Sequence, residues 1–126
     1  MQATIEKIEN YSEGILVRFA TEYGEGFGIW NGNKRPVEKD AYNIELDITD
    51  TLKWGKDVVL SKNNGFKIAV TESAIILTGK VEKLYSDGMV DFRLGTSLIQ
   101  LELEGKGIPI GKFVDVKTND IEVYAY

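Results

Sequence analysis

The chain has 126 residues, with 15 Lys and Arg against 20 Asp and Glu, so its net charge is −5. Hydrophobic residues make up 43% and charged residues 28%, the balance of a folded globular protein rather than a disordered tail. With no Cys and no His, there is no thiolate nucleophile, no imidazole base and no zinc site of the usual Cys/His kind.

From the N-terminus, Ile5-Glu6-Lys7-Ile8 opens a strand whose apolar residues stand three apart. A flat strand would send them to opposite faces, so a bulge at the Glu-Lys pair is expected. Period-2 alternation then predicts strands at Ile15-Leu16-Val17-Arg18-Phe19 and Ile44-Glu45-Leu46-Asp47-Ile48. It recurs at Val90-Asp91-Phe92-Arg93-Leu94, Ile99-Gln100-Leu101-Glu102-Leu103-Glu104 and Ile121-Glu122-Val123-Tyr124. No segment of helical length has a clean 3.6 period, and the protein reads as all-β. The largely buried set is expected to be Val17, Phe19, Leu46, Trp54, Phe92, Leu101, Phe113 and Val123.

The order of elements also repeats. Ile5-Glu6-Lys7-Ile8 aligns with Val81-Glu82-Lys83-Leu84, Val17-Arg18-Phe19 with Phe92-Arg93-Leu94, and Ile44–Ile48 with Ile99–Leu103. Further on, Leu52–Val58 aligns with Ile108–Val114 and Phe66-Lys67-Ile68 with Ile121-Glu122-Val123. This predicts two small β-barrel-like units of SH3/OB-like strand order, residues 1–70 and 77–126, with 71–76 as connector. Whether they form two barrels or merge into one compact β domain stays open. In the second unit, Gly79-Lys80-Val81, Gly88, Gly111-Lys112-Phe113-Val114 and Ile121-Glu122-Val123 resemble, in strand spacing, the small anion-binding barrels of molybdate-uptake proteins. That resemblance spans roughly the last fifty residues. It implies fold more than ligand, because no Ser-Arg-Asn oxyanion-binding stretch accompanies it.

The alignment separates structural from functional candidates. Trp54 aligns with Ile110, which marks it as a core plug. Gly55 and Gly111 mark backbone that needs positive φ or close approach. Arg18 and Arg93 are expected to cover the polar face of their strands or to pair with carboxylates.

Between Phe19 and Ile44 lie 24 residues, against 4 between Leu94 and Ile99, so residues 20–42 read as a hairpin inserted into the first unit. Its aromatics Tyr23, Phe27 and Trp30 either pack back onto the barrel or form a partner-binding surface. Gly24-Glu25-Gly26-Phe27-Gly28 is not a dinucleotide fingerprint, since the third glycine is one place early and no helix follows.

Glu45, Asp47, Glu102 and Glu104 occupy outward strand positions, as either a solvated face or one negative surface for a partner. Asp47-Ile48-Thr49-Asp50 lacks the oxygen spacing of a calcium loop, and neither metal nor cofactor is expected. No nucleophile has a recognisable base beside it, which argues against an enzyme. The acidic balance disfavours nucleic acid, because only Lys34, Arg35 and Lys39 cluster near aromatics in the sequence. No secretory signal or bilayer-spanning run is present, so a cytoplasmic location without membrane association is expected. What remains is a non-catalytic acidic protein that binds a basic protein. The type is an inhibitor, such as an immunity protein that neutralises a nuclease toxin or a phage protein that blocks a host defence enzyme. The alternative is a tandem small-barrel domain that binds a small molecule or oxyanion.

Overall fold

The computed structural model describes residues 1–12 and 14–126. It is all-β, with twelve strands among the described residues: β1 (Gln2–Tyr11), β2 (Gly14–Thr21), β3 (Gly24–Trp30), β4 (Ala41–Ile48), β5 (Thr51–Lys53), β6 (Val58–Leu60), β7 (Lys67–Val70), β8 (Ile75–Leu84), β9 (Met89–Leu94), β10 (Ser97–Glu104), β11 (Phe113–Thr118) and β12 (Ile121–Ala125). No helix among the described residues is long and apolar enough to cross a membrane.

Five strands close into a barrel of OB-like order. β1 pairs β2 and β2 pairs β3; β3 lies parallel to β12, β12 pairs β4, and β4 returns to β1. The closing strand therefore comes from the other end of the chain. The remaining strands form a second path, with β7 joining the two sets, parallel to β3 and antiparallel to β8. β8 pairs β9, β9 pairs β10, β10 lies parallel to β5, and β8 also pairs β11, which pairs β6. The two arms end in β5 and β6, which are consecutive in the chain and are bridged where Trp54 meets Val58. The first half thus lends β5 and β6 to the second set, and the second half lends β12 to the first barrel. Residues 1–70 and 77–126 are consequently not two separately closed units.

The bulge expected from the Glu-Lys pair is present in both long strands. The register shifts between Ile5 and Lys7 in β1, and between Val81 and Lys83 in β8. Ile5 and Val81 consequently both face inward, at 0% and 1% exposure. Beyond this element the residue equivalences read from the sequence differ from the pairing. Phe19 faces Ile5 as Phe92 faces Val81, two residues away from the alignment of Val17 with Phe92. β4, which holds Ile44–Ile48, pairs β1 and β12, whereas β10, which holds Ile99–Leu103, pairs β9 and β5, so the two segments do not occupy matching places. Alternating apolar residues look alike on every half-buried strand, so they fix a face without fixing a partner.

The segment 20–42 is accordingly not an insertion but contains β3, a wall of the first barrel. Its glycines are the reason it does not look like one. Gly26 and Gly28 point inward, where the Phe19 ring and β12 occupy the space a side chain would need. Outward alternation falls to Glu25, Phe27 and Ile29.

The core is continuous across both strand sets and holds Phe19, Phe92, Ile44, Leu77 and Val123 among its members. Of the expected core, Val17, Leu46 and Leu101 are also buried, but Trp54 and Phe113 are only half-buried. Ile110 is 59% exposed, so it is no counterpart of Trp54 as a plug. Gly55 and Gly111 have φ of 90° and 80°, the left-handed conformation expected of them.

A methyl group on Gly28 would lie 2.7 Å from the Ile121 carbonyl oxygen and 2.9 Å from Val123 Cγ2. Backbone cannot yield there without parting β12 from β3. Gly28→Ala is expected to cost about 1–3 kcal/mol through overpacking, read as a lower urea midpoint. Gly65→Ala, with nothing within 4 Å of the added carbon, should leave the midpoint nearly unchanged.

The exchanged strands make a second prediction. Residues 1–70 alone lack β12 and should show no cooperative thermal transition. An equimolar mixture with residues 71–126 should regain one. A cooperative melt of the 1–70 fragment by itself would show that β12 is dispensable to the first barrel.

Candidate functional site

The seven sequence candidates are not brought together. Trp30 is 8% exposed. Its indole Nε1 donates to the Lys34 carbonyl at 2.8 Å, and its ring meets Tyr42 edge-on at 5.1 Å. The loop after β3 folds over it, so its surface is consumed by packing. Tyr23 is half-buried and packs edge-on against Phe66 at 6.1 Å. Only Phe27 projects from the outer barrel wall, half-exposed, with the Arg18 guanidinium 5.9 Å from its ring centre. Arg18 thus covers an apolar surface, while Arg93 forks onto Glu82, with Nη2 to Oε2 at 3.1 Å.

Glu45 and Asp47 lie on the outer face of β4, and the strand beside them adds residues the sequence did not single out. In the β4–β12 ladder Asp47 stands directly opposite Glu122, and Glu45 opposite Tyr124. The Tyr124 hydroxyl donates to Glu122 Oε2 at 3.1 Å and accepts from Asn31 Nδ2 at 3.1 Å. The Glu122 carboxylate at its hydroxyl, with Asp47 further off, raises the Tyr124 phenol above the ordinary tyrosine range. Among the described residues the only ion pairs are Lys7 with Glu9 and Arg93 with Glu82, so no cation within ion-pair distance neutralises Glu45, Asp47 or Glu122.

The same edge continues into the two crossover turns. β4 passes to β5 through Thr49-Asp50, and β11 passes to β12 through Asn119-Asp120. The turns meet, for Thr49 Oγ1 donates to Asp120 Oδ2 at 2.9 Å. A hydrogen bond between the Asp50 and Asp120 side chains raises the Asp50 carboxyl, helped by desolvation and by the Asp120 and Asp57 charges. Two like-charged groups thus sit where the halves of the chain exchange strands.

Glu102 and Glu104 are exposed on β10, a different ladder, opposite Thr51 and Lys53 of β5. They extend the acidic character past the Asp50 turn, but neither faces Glu45 or Asp47 across a strand pair. Among the described residues, no group of three or more carboxylates is arranged to hold a metal ion. No family model, curated protein or solved structure matches the chain.

The crossover turns carry a pH prediction. A carboxyl raised on folding favours the protonated folded form, so its favourable contribution is present at low pH and is lost as pH rises through the folded pKa. Asp120→Asn leaves an acceptor for Thr49 and removes the repulsion on Asp50. The variant should melt above the parent at pH 7, with the difference shrinking towards pH 4. Thermal melts at both pH values check this, and a difference independent of pH would refute the coupling.

Proposed function

We propose that the chain is a non-catalytic, acidic protein-binding protein, an inhibitor that covers the basic surface of a nucleic-acid-handling protein. A toxin-neutralising immunity protein and a phage anti-defence protein are the two forms this takes. A cytoplasmic setting, where a chain without cysteine loses no cross-link, fits that role.

One observation carries the proposal: Asp47 and Glu122 face each other across a strand pair with no cation in reach. Like charges directly opposite on a sheet oppose folding. A face arranged for stability alone would interleave a lysine here, as β1 does with Lys7 beside Glu9 at 3.2 Å. The uncompensated carboxylates gain their compensation on binding, where a partner's Arg and Lys replace the missing cations. Exposed Tyr124 in their midst offers the kind of anchor enriched at binding hot spots. The rigid barrel beneath lowers the ordering cost of association. Glu102 and Glu104 form an outlying acidic rim that steers the approach rather than the seat of contact.

A partner captured from the source cell provides the test. Association should slow as salt rises, and the triple substitution Glu45→Gln, Asp47→Asn, Glu122→Gln should slow it about tenfold at low salt. The melting temperature should stay level or rise, because a repulsive pair has been removed. An association rate indifferent to both salt and the triple substitution would refute the proposal.

A further inference from the structure

On strands away from the acidic ladder, the fold assembles aromatic rings and cations that lie far apart in the sequence. Phe113 of β11 stands opposite Lys80 of β8, and Lys80 stands opposite Arg93 of β9, so the three form one cross-strand row. Lys67 of β7 is opposite Thr78, a buried residue two before Lys80 along β8. Phe66, immediately before β7, packs 5.5 Å from the Phe113 ring and 6.1 Å from the Tyr23 ring. The Lys80 ammonium rests over the Phe113 ring, 5.1 Å from its centre.

Two cations on this face, Lys67 and Lys80, are unpaired among the described residues, with no carboxylate within ion-pair distance. Of the carboxylates nearby, Glu82 is paired with Arg93, while Asp115 accepts from the Thr78 hydroxyl at 2.7 Å and Glu22 is hydrogen-bonded to Tyr23. Among the described residues, neither Asp115 nor Glu22 faces a cation within ion-pair distance. Phe66, Phe113 and Tyr23 are each half-buried, so part of each ring remains accessible.

We propose that this face binds single-stranded nucleic acid. Unpaired ammonium groups attract phosphates, and exposed aromatic rings stack bases without regard to sequence. An acidic peptide would engage the lysines but would leave the run of rings unused, whereas a nucleotide chain uses both. Duplex is disfavoured because its bases are already stacked, and because a chain of net charge −5 has few cations to track two backbones. The surface is separate from the acidic β4–β12 face, so its fate does not depend on the inhibitor proposal.

Fluorescence anisotropy of a labelled oligothymidylate, titrated with the full chain, tests the proposal. Saturable binding is expected at low salt, weakening as salt rises with a log–log slope of about −0.7 per phosphate engaged. Lys67→Glu with Lys80→Glu should lower the affinity at least tenfold. Phe113→Leu, which keeps the charge, should lower it several-fold, with melting curves confirming that each variant folds. Lys67→Glu alone alters an exposed side chain and should still weaken binding if the double variant fails to fold. Absence of binding at low salt, or affinity unaffected by the lysine substitutions, would overturn the proposal. So would displacement of the oligonucleotide by inorganic phosphate at matched ionic strength, which would reveal an oxyanion site. Binding unchanged in both Phe113→Leu and Phe66→Leu would likewise overturn it, by reducing the contact to charge alone.

Discussion

The close approach of β12 to β3 is the contact on which the rest depends. It closes the first barrel, and it is made possible by the missing side chain at Gly28, where the Ile121 carbonyl and Val123 fill the space. A parallel contact between sequence-distant strands carries a large loop-closure cost, met here by burial of Ile121 and Val123 at 2% and 0% exposure. Because β12 leaves β11 to make this contact, the second strand set must find its own closing segment, and β5 with β6 supplies it. Reciprocal exchange follows from that one placement. It makes the two halves mutually dependent, and the single core spanning both sets is its consequence.

Elements governed by local pattern were legible in the sequence. Strand identity followed from alternation, and the bulges followed from apolar residues three apart in β1 and β8. Gly55 and Gly111 announced their backbone conformation. Pairing was not legible, because Ile44–Ile48 and Ile99–Leu103 have the same alternation although they sit in different ladders. β3 was hidden for a related reason. Its inward residues are glycines whose space is filled by Phe19 and by β12, so the strand carries its apolar signal on the wrong face. Reading it as an insertion then displaced every later equivalence.

The acidic face was half legible. Glu45 and Asp47 could be assigned outward positions from their own strand, but Glu122 belongs to a strand whose neighbour only the topology reveals. The cation–aromatic face lay further from reach. Phe66, Lys80 and Phe113 come from three different strands or connections, and no sequence window contains more than one of them with its partners. For Trp30 the sequence left packing and partner binding both open; the loop beyond it folds back, and its own indole hydrogen bond fixes that loop in place.

Carboxylates on β4, β12 and the crossover turns are thus set beside one another rather than interleaved with cations, and that has a physical cost that the core must carry. On β4 and β12 the carboxylates repel across the ladder, and at the crossover turns Asp50 and Asp120 are held close enough to share a hydrogen bond. Each exposed repulsion is small because water and salt screen it, so a continuous core can tolerate several. Screening that makes the repulsion tolerable in the free protein is removed once a partner covers the surface. There the same carboxylates would interact more strongly with any cation brought against them. The arrangement is thus weakly unfavourable alone and increasingly favourable when a basic surface excludes the solvent. A barrel closed by strands from both ends of the chain holds those groups in register while that happens, because neither half can relax without opening the other.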